Sequence, residues 1–364
     1  MKRIHMNLKH VALFLSTAVT ATITVFGPGS VRAQTPTEGV APSNAPVAAA
    51  PAGPGAGRRG GGGGPVVVID PLASAETVDL VPPLDKMGNF KHAPKTTWRD
   101  VSGIVVKEGS PRGTVITFRV PGADSKLFPG NYQRNVWVYV PAGYKEGMEL
   151  PFMLDHDGSA TAVVQTQLIA AMDNLIAEKK IPMMAGVFVA PASRSVEYDT
   201  VSGKYCEYLE NEILPLVEQN AKIKLTKDPE GRGAIGQSSG GAAAFTMAWF
   251  HPDLYRRVIS YSGSFTRLQR NATYPQGAWE YHQTIIPAAE KKPIRIWMQV
   301  GSDDLNNNFG DWRIANNNMA EVLKAKGYEY QYLWSAGAHH VEGGVERQTM
   351  EEAMEWVWKT YKAK

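Results

Sequence analysis

One cysteine, Cys206, stands in 364 residues, too few for an internal disulfide or a zinc cage built from thiolates. Charge is sparse, at 20% of the chain, and its basic excess is confined to one end. The first 33 residues hold Lys2, Arg3, Lys9 and Arg32 and no acid, so the 38 basic residues fall to 34 beyond them, against 35 acidic. A chain so close to neutral offers no electrostatic footprint for nucleic acid or an anionic membrane, and no nucleic-acid partner is expected. Long apolar runs are missing too. Val11–Phe26 comes nearest, but threonines interrupt it and Gly27-Pro28-Gly29 closes it, leaving it too weak for a comfortable membrane span. What the chain does have is apolar material, 43% of its residues. That is a globular composition, which excludes a wholly disordered or collagen-like chain.

Residues 1–33 read as a secretory signal peptide. Lys2, Arg3 and Lys9 form the charged start, Val11–Phe26 the apolar middle, and Val31-Arg32-Ala33 puts small residues where signal peptidase inspects them. No cysteine follows to accept a lipid. The mature chain is expected to be periplasmic or secreted, with no stable membrane anchor. Residues 34–65 are rich in Ala, Pro and Gly and end in Arg58-Arg59 and five glycines. They cannot bury enough apolar surface to offset their ordering entropy, so a disordered linker is expected. Residues 66–100 are punctuated by proline and read as an extended arm. Residues 101–364 form the folded domain.

Within that domain, strand-like runs fall at Thr114–Val120, Asn135–Val140, Pro151–Leu154, Ala185–Ala190, Gly233–Gly236, Val258–Tyr261, Ile294–Val300 and Glu329–Trp334. Helical stretches fall at Val163–Glu178, Tyr205–Gln219, Gly240–Phe250, Ile314–Lys326 and Val345–Tyr361. An antiparallel start followed by alternating strand and helix predicts an α/β fold, with a mostly parallel central sheet covered by helices on both faces.

The sharpest chemical signal is Gly236-Gln237-Ser238-Ser239-Gly240-Gly241, directly after a short apolar strand and before an Ala-rich helix. In that context Gly-x-Ser-x-Gly places a serine on a strained strand-to-helix turn at the sheet's carboxyl edge, beside a helix N-terminus that favours developing negative charge. A phosphate-binding loop is the competing reading, but the lysine and spacing of a P-loop are missing. Ser238 is therefore the candidate nucleophile, and a serine hydroxyl needs a base. In an α/β-hydrolase the order along the chain is serine, acid, histidine. Of eight histidines, His5 and His10 fall in the leader, and His92, His156, His251 and His282 lie too early to follow an acid beyond Ser238. His339 and His340 remain, in the loop after the last strand, with His339 the expected base and His340 its alternative. The acid that orients the imidazole is expected in Gly301-Ser302-Asp303-Asp304-Leu305, at the carboxyl end of a core strand. Asp304 is the expected acid, and Asp303 belongs to the loop.

Acyl chemistry also needs donors aimed at an oxyanion. The Ser239 N–H supplies one by position. The second is expected from Asp157, or from Gly158, in the turn Asp155-His156-Asp157-Gly158-Ser159. Arg194 and Glu197 follow the strand ending at Ala190, on the edge where such sheets bind ligands, and Trp312 follows the acid loop. All three are candidate substrate contacts, the alternatives being a loop brace for the charged pair and core packing for the indole.

Several strings together resemble the enterochelin esterase and feruloyl esterase family. They are Ser125–Gly130, Val136–Pro141, the His156-Asp157-Gly158 turn, Arg194–Asp199, Glu212–Pro215, GQSSGG, GSDDL with Asn306–Trp312, GAHH and Glu355–Trp358. The resemblance covers residues 101–364 and implies an α/β-hydrolase fold with serine-dependent ester cleavage without a cofactor; no metal site is expected. The family triad falls on Ser238, Asp304 and His339, although relatives put a small or acidic residue where this chain has His340. The separate β-domain that cytoplasmic siderophore esterases carry ahead of the hydrolase is not expected from these residues. With the leader, that favours extracytoplasmic small-molecule or carbohydrate esters, such as acylated sugars or aromatic acid esters, over intracellular siderophore. An acyltransferase using the same triad, an inactive ligand-binding scaffold, and a metallohydrolase using His339, His340 and Asp304 are the competing functions.

Overall fold

The computed structural model describes residues 72–158 apart from 73, 80, 94–97, 99 and 100, and residues 163–362, with backbone alone for 163–166. The expected signal peptide and linker lie outside the described residues. Fourteen strands are described: β1 (Glu76–Val78), β2 (Gly88–His92), β3 (Thr114–Pro121), β4 (Gln133–Val140), β5 (Glu149–Leu150), β6 (Phe152–His156), β7 (Ala185–Val189), β8 (Lys224–Leu225), β9 (Arg232–Gln237), β10 (Arg257–Tyr261), β11 (Arg295–Asp303), β12 (Asn306–Asn307), β13 (Gly310–Asp311) and β14 (Glu329–His339). The α-helices are α1 (Val163–Ala177), α2 (Arg194–Tyr198), α3 (Lys204–Tyr208), α4 (Leu214–Ala221), α5 (Ser239–Phe250), α6 (Ile286–Ala288), α7 (Trp312–Ala325) and α8 (Gly343–Trp358).

Ten strands make one sheet in the order β1-β2-β14-β11-β10-β9-β6-β7-β4-β3. All neighbours from β1 to β7 run parallel, and β4 and β3 close the far edge antiparallel. This is the α/β architecture expected, and its central strands read as it requires. Every residue of β6, β7 and β10 is buried, as a sheet covered on both faces demands. Among the described residues no helix is long and apolar enough to cross a membrane.

The domain begins earlier than residue 101. Two segments of the supposed arm are strands: β1 pairs β2, and β2 pairs β14 from Gly88 opposite Gln331 to His92 opposite Ser335. Phe90 and His92 are buried there. The prolines at 82 and 83 lie outside those strands, where a missing N–H costs no ladder bond. The single helix expected over Tyr205–Gln219 is also divided. A π turn, Leu209–Ile213, separates α3 from α4 just before Pro215, whose ring cannot follow a regular α turn.

The sheet's register sets the site. β9 and β10 match from Gly233 opposite Arg257 to Gln237 opposite Tyr261, so the turns after both strands leave the sheet at one level. β11 and β14 outrun their expected ends and keep pairing to Asp303 opposite His339. A bulge intervenes, in which β14 advances four residues while β11 advances two. Such irregularities bend a strand and re-aim the side chains at its end.

Candidate active site

Ser238 joins β9 to α5 with φ +55° and ψ −122°, a conformation that costs a non-glycine residue about 1–3 kcal/mol. The surrounding packing holds it. Ser238 N–H donates to the Tyr261 carbonyl at 2.9 Å, and its carbonyl accepts from Ser264 N–H at 2.9 Å and Ala242 N–H at 3.1 Å. Gly236 is required because a Cβ there would lie 2.4 Å from the Gly240 backbone. α5 from Ser239 to Trp249 is buried throughout, which fixes the direction in which its N-terminus points.

Three side chains from three elements meet at that turn. His340 Nε2 lies 2.9 Å from Ser238 Oγ, and His340 Nδ1 lies 2.6 Å from Asp304 Oδ1. Asp304 follows β11, its side chain is fully buried, and its Oδ1 also accepts Leu305 N–H at 2.6 Å. The geometry sets His340, rather than the expected His339, against the serine and the aspartate. His339 is still within the β14 ladder opposite Asp303, and alternation along the strand buries Ala338 and leaves His339 exposed. His340 is the first residue past the strand and turns in toward the serine. Its loop rests on the supposed arm, where Trp98 Nε1 donates to the Ala336 carbonyl at 3.0 Å and the Trp98 indole packs with Ala338 and Val345.

Ser239 N–H lies in the first turn of α5, where amides have no intrahelical acceptor. Nearby, burial pushes the Asp199 carboxyl up, while the Ser195 hydroxyl, which donates to it at 2.8 Å, and Ser239 pull it back. Asp157 does not offer the second donor as expected. With φ +66°, its N–H donates to Tyr198 Oη at 2.9 Å, and Gly158 N–H donates to the Val189 carbonyl at 3.2 Å. The Asp157 carboxylate instead holds Arg194 by two bonds, Nε–Oδ1 at 2.6 Å and Nη2–Oδ2 at 2.5 Å.

Arg194 Nη2 also reaches the Gln237 carbonyl at 3.2 Å, one residue before Ser238, and its side chain remains 40% exposed at the site's edge. Glu197 does not reach the site. It is buried in a bidentate pair with Arg134, at 2.8 and 2.9 Å, and accepts the N–H groups of Ala192 and Ser193. Burial alone would lower the Arg134 pKa, but the facing carboxylate raises it. Glu197 braces the loop rather than gripping a ligand. Trp312 is buried as well. Its ring meets His340 edge-on at 5.8 Å, and its Nε1 donates to Ser264 Oγ at 3.0 Å.

Ser264 is the residue that sequence reasoning missed. Its hydroxyl lies 3.2 Å from Ser238 Oγ. The available signal was Ser262-Gly263-Ser264 just after a core strand, as Ser238 itself follows one. Among the described residues, no cluster of three or more His, Cys, Asp or Glu side chains is placed to hold a metal ion.

Comparisons with known proteins identify the family and the fold. Residues 130–348 match the family model described as "Putative esterase". The chain is 24% identical over 199 residues to the uncharacterized protein YbbA of Bacillus subtilis (strain 168), covering 50% of this chain and 73% of YbbA. It is 24% identical over 247 residues to the iron(III) enterobactin esterase of Dickeya dadantii (strain 3937), covering 66% of this chain but only 54% of that protein. A solved ferulic acid esterase superposes over its whole length and 69% of this chain, with a TM-score of 0.54 at 18% identity, which establishes a shared fold. As the family match takes in more than half of its residues, the chain belongs to the esterase family, carboxylic ester hydrolases on the α/β-hydrolase fold.

Proposed function

We propose that the chain is an exported serine esterase that cleaves carboxylic esters through an acyl-enzyme, with Ser238 as nucleophile, His340 as base and Asp304 as the orienting acid. The observation that carries the reading is the unbroken contact from Ser238 Oγ to His340 Nε2 and from Nδ1 to the Asp304 carboxylate, at 2.9 and 2.6 Å. A carboxylate only accepts hydrogen bonds, so the Nδ1 proton faces Asp304 and Nε2 is left basic toward the serine.

Ser238 passes its proton to Nε2 as Oγ attacks the ester carbonyl. The oxyanion faces the Ser239 N–H at the head of α5, and the alcohol leaves with the proton from Nε2. Water, deprotonated by the same nitrogen, then releases the acid and restores the serine. The leader reading of residues 1–33 supports export. Leu305 and Phe309 on the acid loop and Val196 on α2 are large exposed apolar side chains beside these elements, which favours an ester with an apolar or aromatic part. Two relatives are named for enterobactin and ferulic acid, in keeping with that class.

The test is p-nitrophenyl acetate hydrolysis by wild type, Ser238→Ala, His340→Ala and His339→Ala. The serine and His340 variants are expected to lose about 10⁴-fold or more in kcat, while His339→Ala stays near wild type. Full activity in Ser238→Ala would sink the mechanism, and loss in His339→Ala with activity in His340→Ala would reverse the choice of base. For export, the full chain is produced in a bacterial host, and an extracytoplasmic product beginning at Gln34 is expected.

A further inference from the structure

The hydrogen bonds at the nucleophile continue beyond the serine, and their direction is fixed at both ends. The Trp312 indole N–H can only donate, so Ser264 Oγ, 3.0 Å away, must accept. The Asp304 carboxylate can only accept, so His340 Nδ1 donates and Nε2 accepts from Ser238. Each hydroxyl has one proton. With the Ser238 proton committed to His340, the 3.2 Å contact between the two serines is filled only by Ser264 donating to Ser238. The five groups thus form one line, Trp312 to Ser264 to Ser238 to His340 to Asp304, with no donor facing a donor.

We propose that Ser264 and Trp312 are positioning residues for the nucleophile. The Ser264 hydroxyl holds Ser238 Oγ in the rotamer that faces His340 and steadies negative charge on that oxygen, and the Trp312 N–H keeps the Ser264 hydroxyl from turning round. No proton leaves Ser264. The contact is a hydrogen bond that strengthens as Oγ loses its own proton in acylation, and again as Oγ becomes the leaving oxygen in deacylation.

The parts are fitted to this role. Ser264 is fully buried, so no water competes for its proton, and its N–H bonds the Ser238 carbonyl at 2.9 Å, which locks the two serine backbones together. Trp312 is anchored by its N–H to the Leu305 carbonyl at 2.9 Å. Asn316, buried one turn along α7, donates to both the Trp312 and Gly263 carbonyls at 2.9 Å. Without the indole donor, the Ser264 hydroxyl is free to accept from Ser238 and draw its proton away from Nε2.

The proposal rests on the serine-esterase reading, and its test separates the two. Ser264→Ala, Ser264→Thr, Trp312→Phe and the double variant Ser264→Ala/Trp312→Phe are assayed on p-nitrophenyl acetate. They are also titrated with diisopropyl fluorophosphate, which reports serine nucleophilicity without an acyl pocket. Ser264→Ala is expected to lower kcat and the phosphorylation rate about tenfold with KM unchanged, the effect of one ordinary hydrogen bond. Trp312→Phe, which keeps the ring against His340, is expected to lower both about threefold, and threonine at 264 to restore most of the rate.

Because the indole acts only through Ser264, the double variant should match Ser264→Ala alone. Wild-type kcat and labelling in Ser264→Ala, or an additive double variant, overturns the relay. A loss confined to KM overturns it too. If Ser264→Ala does not fold by near-ultraviolet circular dichroism, Trp312→Phe decides, about a threefold loss in kcat and labelling supporting the relay and wild-type values of both overturning it. An inert Ser238→Ala beside an unimpaired Ser264→Ala rejects the relay alone, whereas an active Ser238→Ala rejects the esterase mechanism beneath it.

Discussion

At the carboxyl edge of the parallel strands, Asp157, Ser238, Ser262 and Val341 all hold positive φ, between +47° and +66°, in the turns after β6, β9 and β10 and beyond β14. At the amino edge of the same sheet, the first residues of β9, β10 and β11 are Arg232, Arg257 and Arg295, buried in a lattice that answers most of their donors. Arg257 pairs with Glu230 at 2.9 Å, donates to the Glu230 carbonyl at 2.6 Å and to the Val357 carbonyl, and stacks on Trp358. Arg295 donates to the Trp356 carbonyl at 3.0 Å, pairs with Glu329 and lies 3.7 Å over the Trp356 ring. Cations at the last carbonyls of α8 are where the helix dipole favours them. One edge stores strain where side chains must be aimed. The other removes freedom where the last helix must be clamped.

That contrast breaks first at the nucleophile. Glycine accepts the conformation at 238 without the steric cost that serine carries. Ser238→Gly is therefore expected to lose about 10⁴-fold or more in kcat while gaining about 1 kcal/mol in stability by urea unfolding. An inactive variant that is also clearly less stable would remove strain from the account. The opposite edge should respond the opposite way. Arg257→Met leaves the Val357 carbonyl at the end of α8 without its donor, while the half-exposed Glu230 keeps Arg256, and is expected to cost about 1–3 kcal/mol, with kcat per folded molecule unchanged. A fall in kcat without loss of stability would make the clamp part of the site.

The sheet and the strand-to-helix turn that carries the candidate nucleophile were legible in the sequence because each depends on a local pattern. β6, β7, β9 and β10 are short apolar runs, and Gly-x-Ser-x-Gly between a strand and an Ala-rich helix has few conformations to choose from. Asp304 was legible for the same reason, standing one residue past a core strand. What stayed hidden depended on partners distant in the chain. His340 faces Ser238 because β14 extends past Trp334 through a bulge against β11, and no local pattern around Gly337 announces that. The Asp157 N–H and the Glu197 carboxylate were both credited to the site, yet Tyr198 and Arg134 claim them across gaps of 41 and 63 residues. Ser264 escaped notice because a serine after a strand is common. Only the register of β9 with β10 brings it to the nucleophile.

The contrast between the edges also reaches the acid stability of the fold. His156 ends β6 behind the site, packed 5.2 Å from the Tyr198 ring and 5.6 Å from Tyr205, and neither ring nitrogen has a hydrogen-bond partner. Burial, helped by the nearby Arg194 charge, pushes its pKa down to about 3. Burial also lowers His92 to about 4 and His282 to about 3. An unfolded histidine takes a proton below about pH 6.5, which the folded chain refuses until pH 3 to 4. Between those limits the unfolded state binds more protons, so stability falls as pH falls, by about 1.4 kcal/mol per unit for each such histidine. Glu346 has the opposite sign. Burial raises it to about 8, so the folded chain keeps a proton there that the unfolded carboxyl has released, and that contribution fades as pH rises from 4.5 to 8. His156→Phe leaves the other three groups in place, so their effects cancel between variant and wild type. The variant is expected to match wild type near pH 7 and to gain on it by about 1.4 kcal/mol per unit on acidification from pH 6 to 4.5. Urea midpoints at three pH values measure this directly, and parallel curves would mean that His156 finds a proton acceptor in the folded chain.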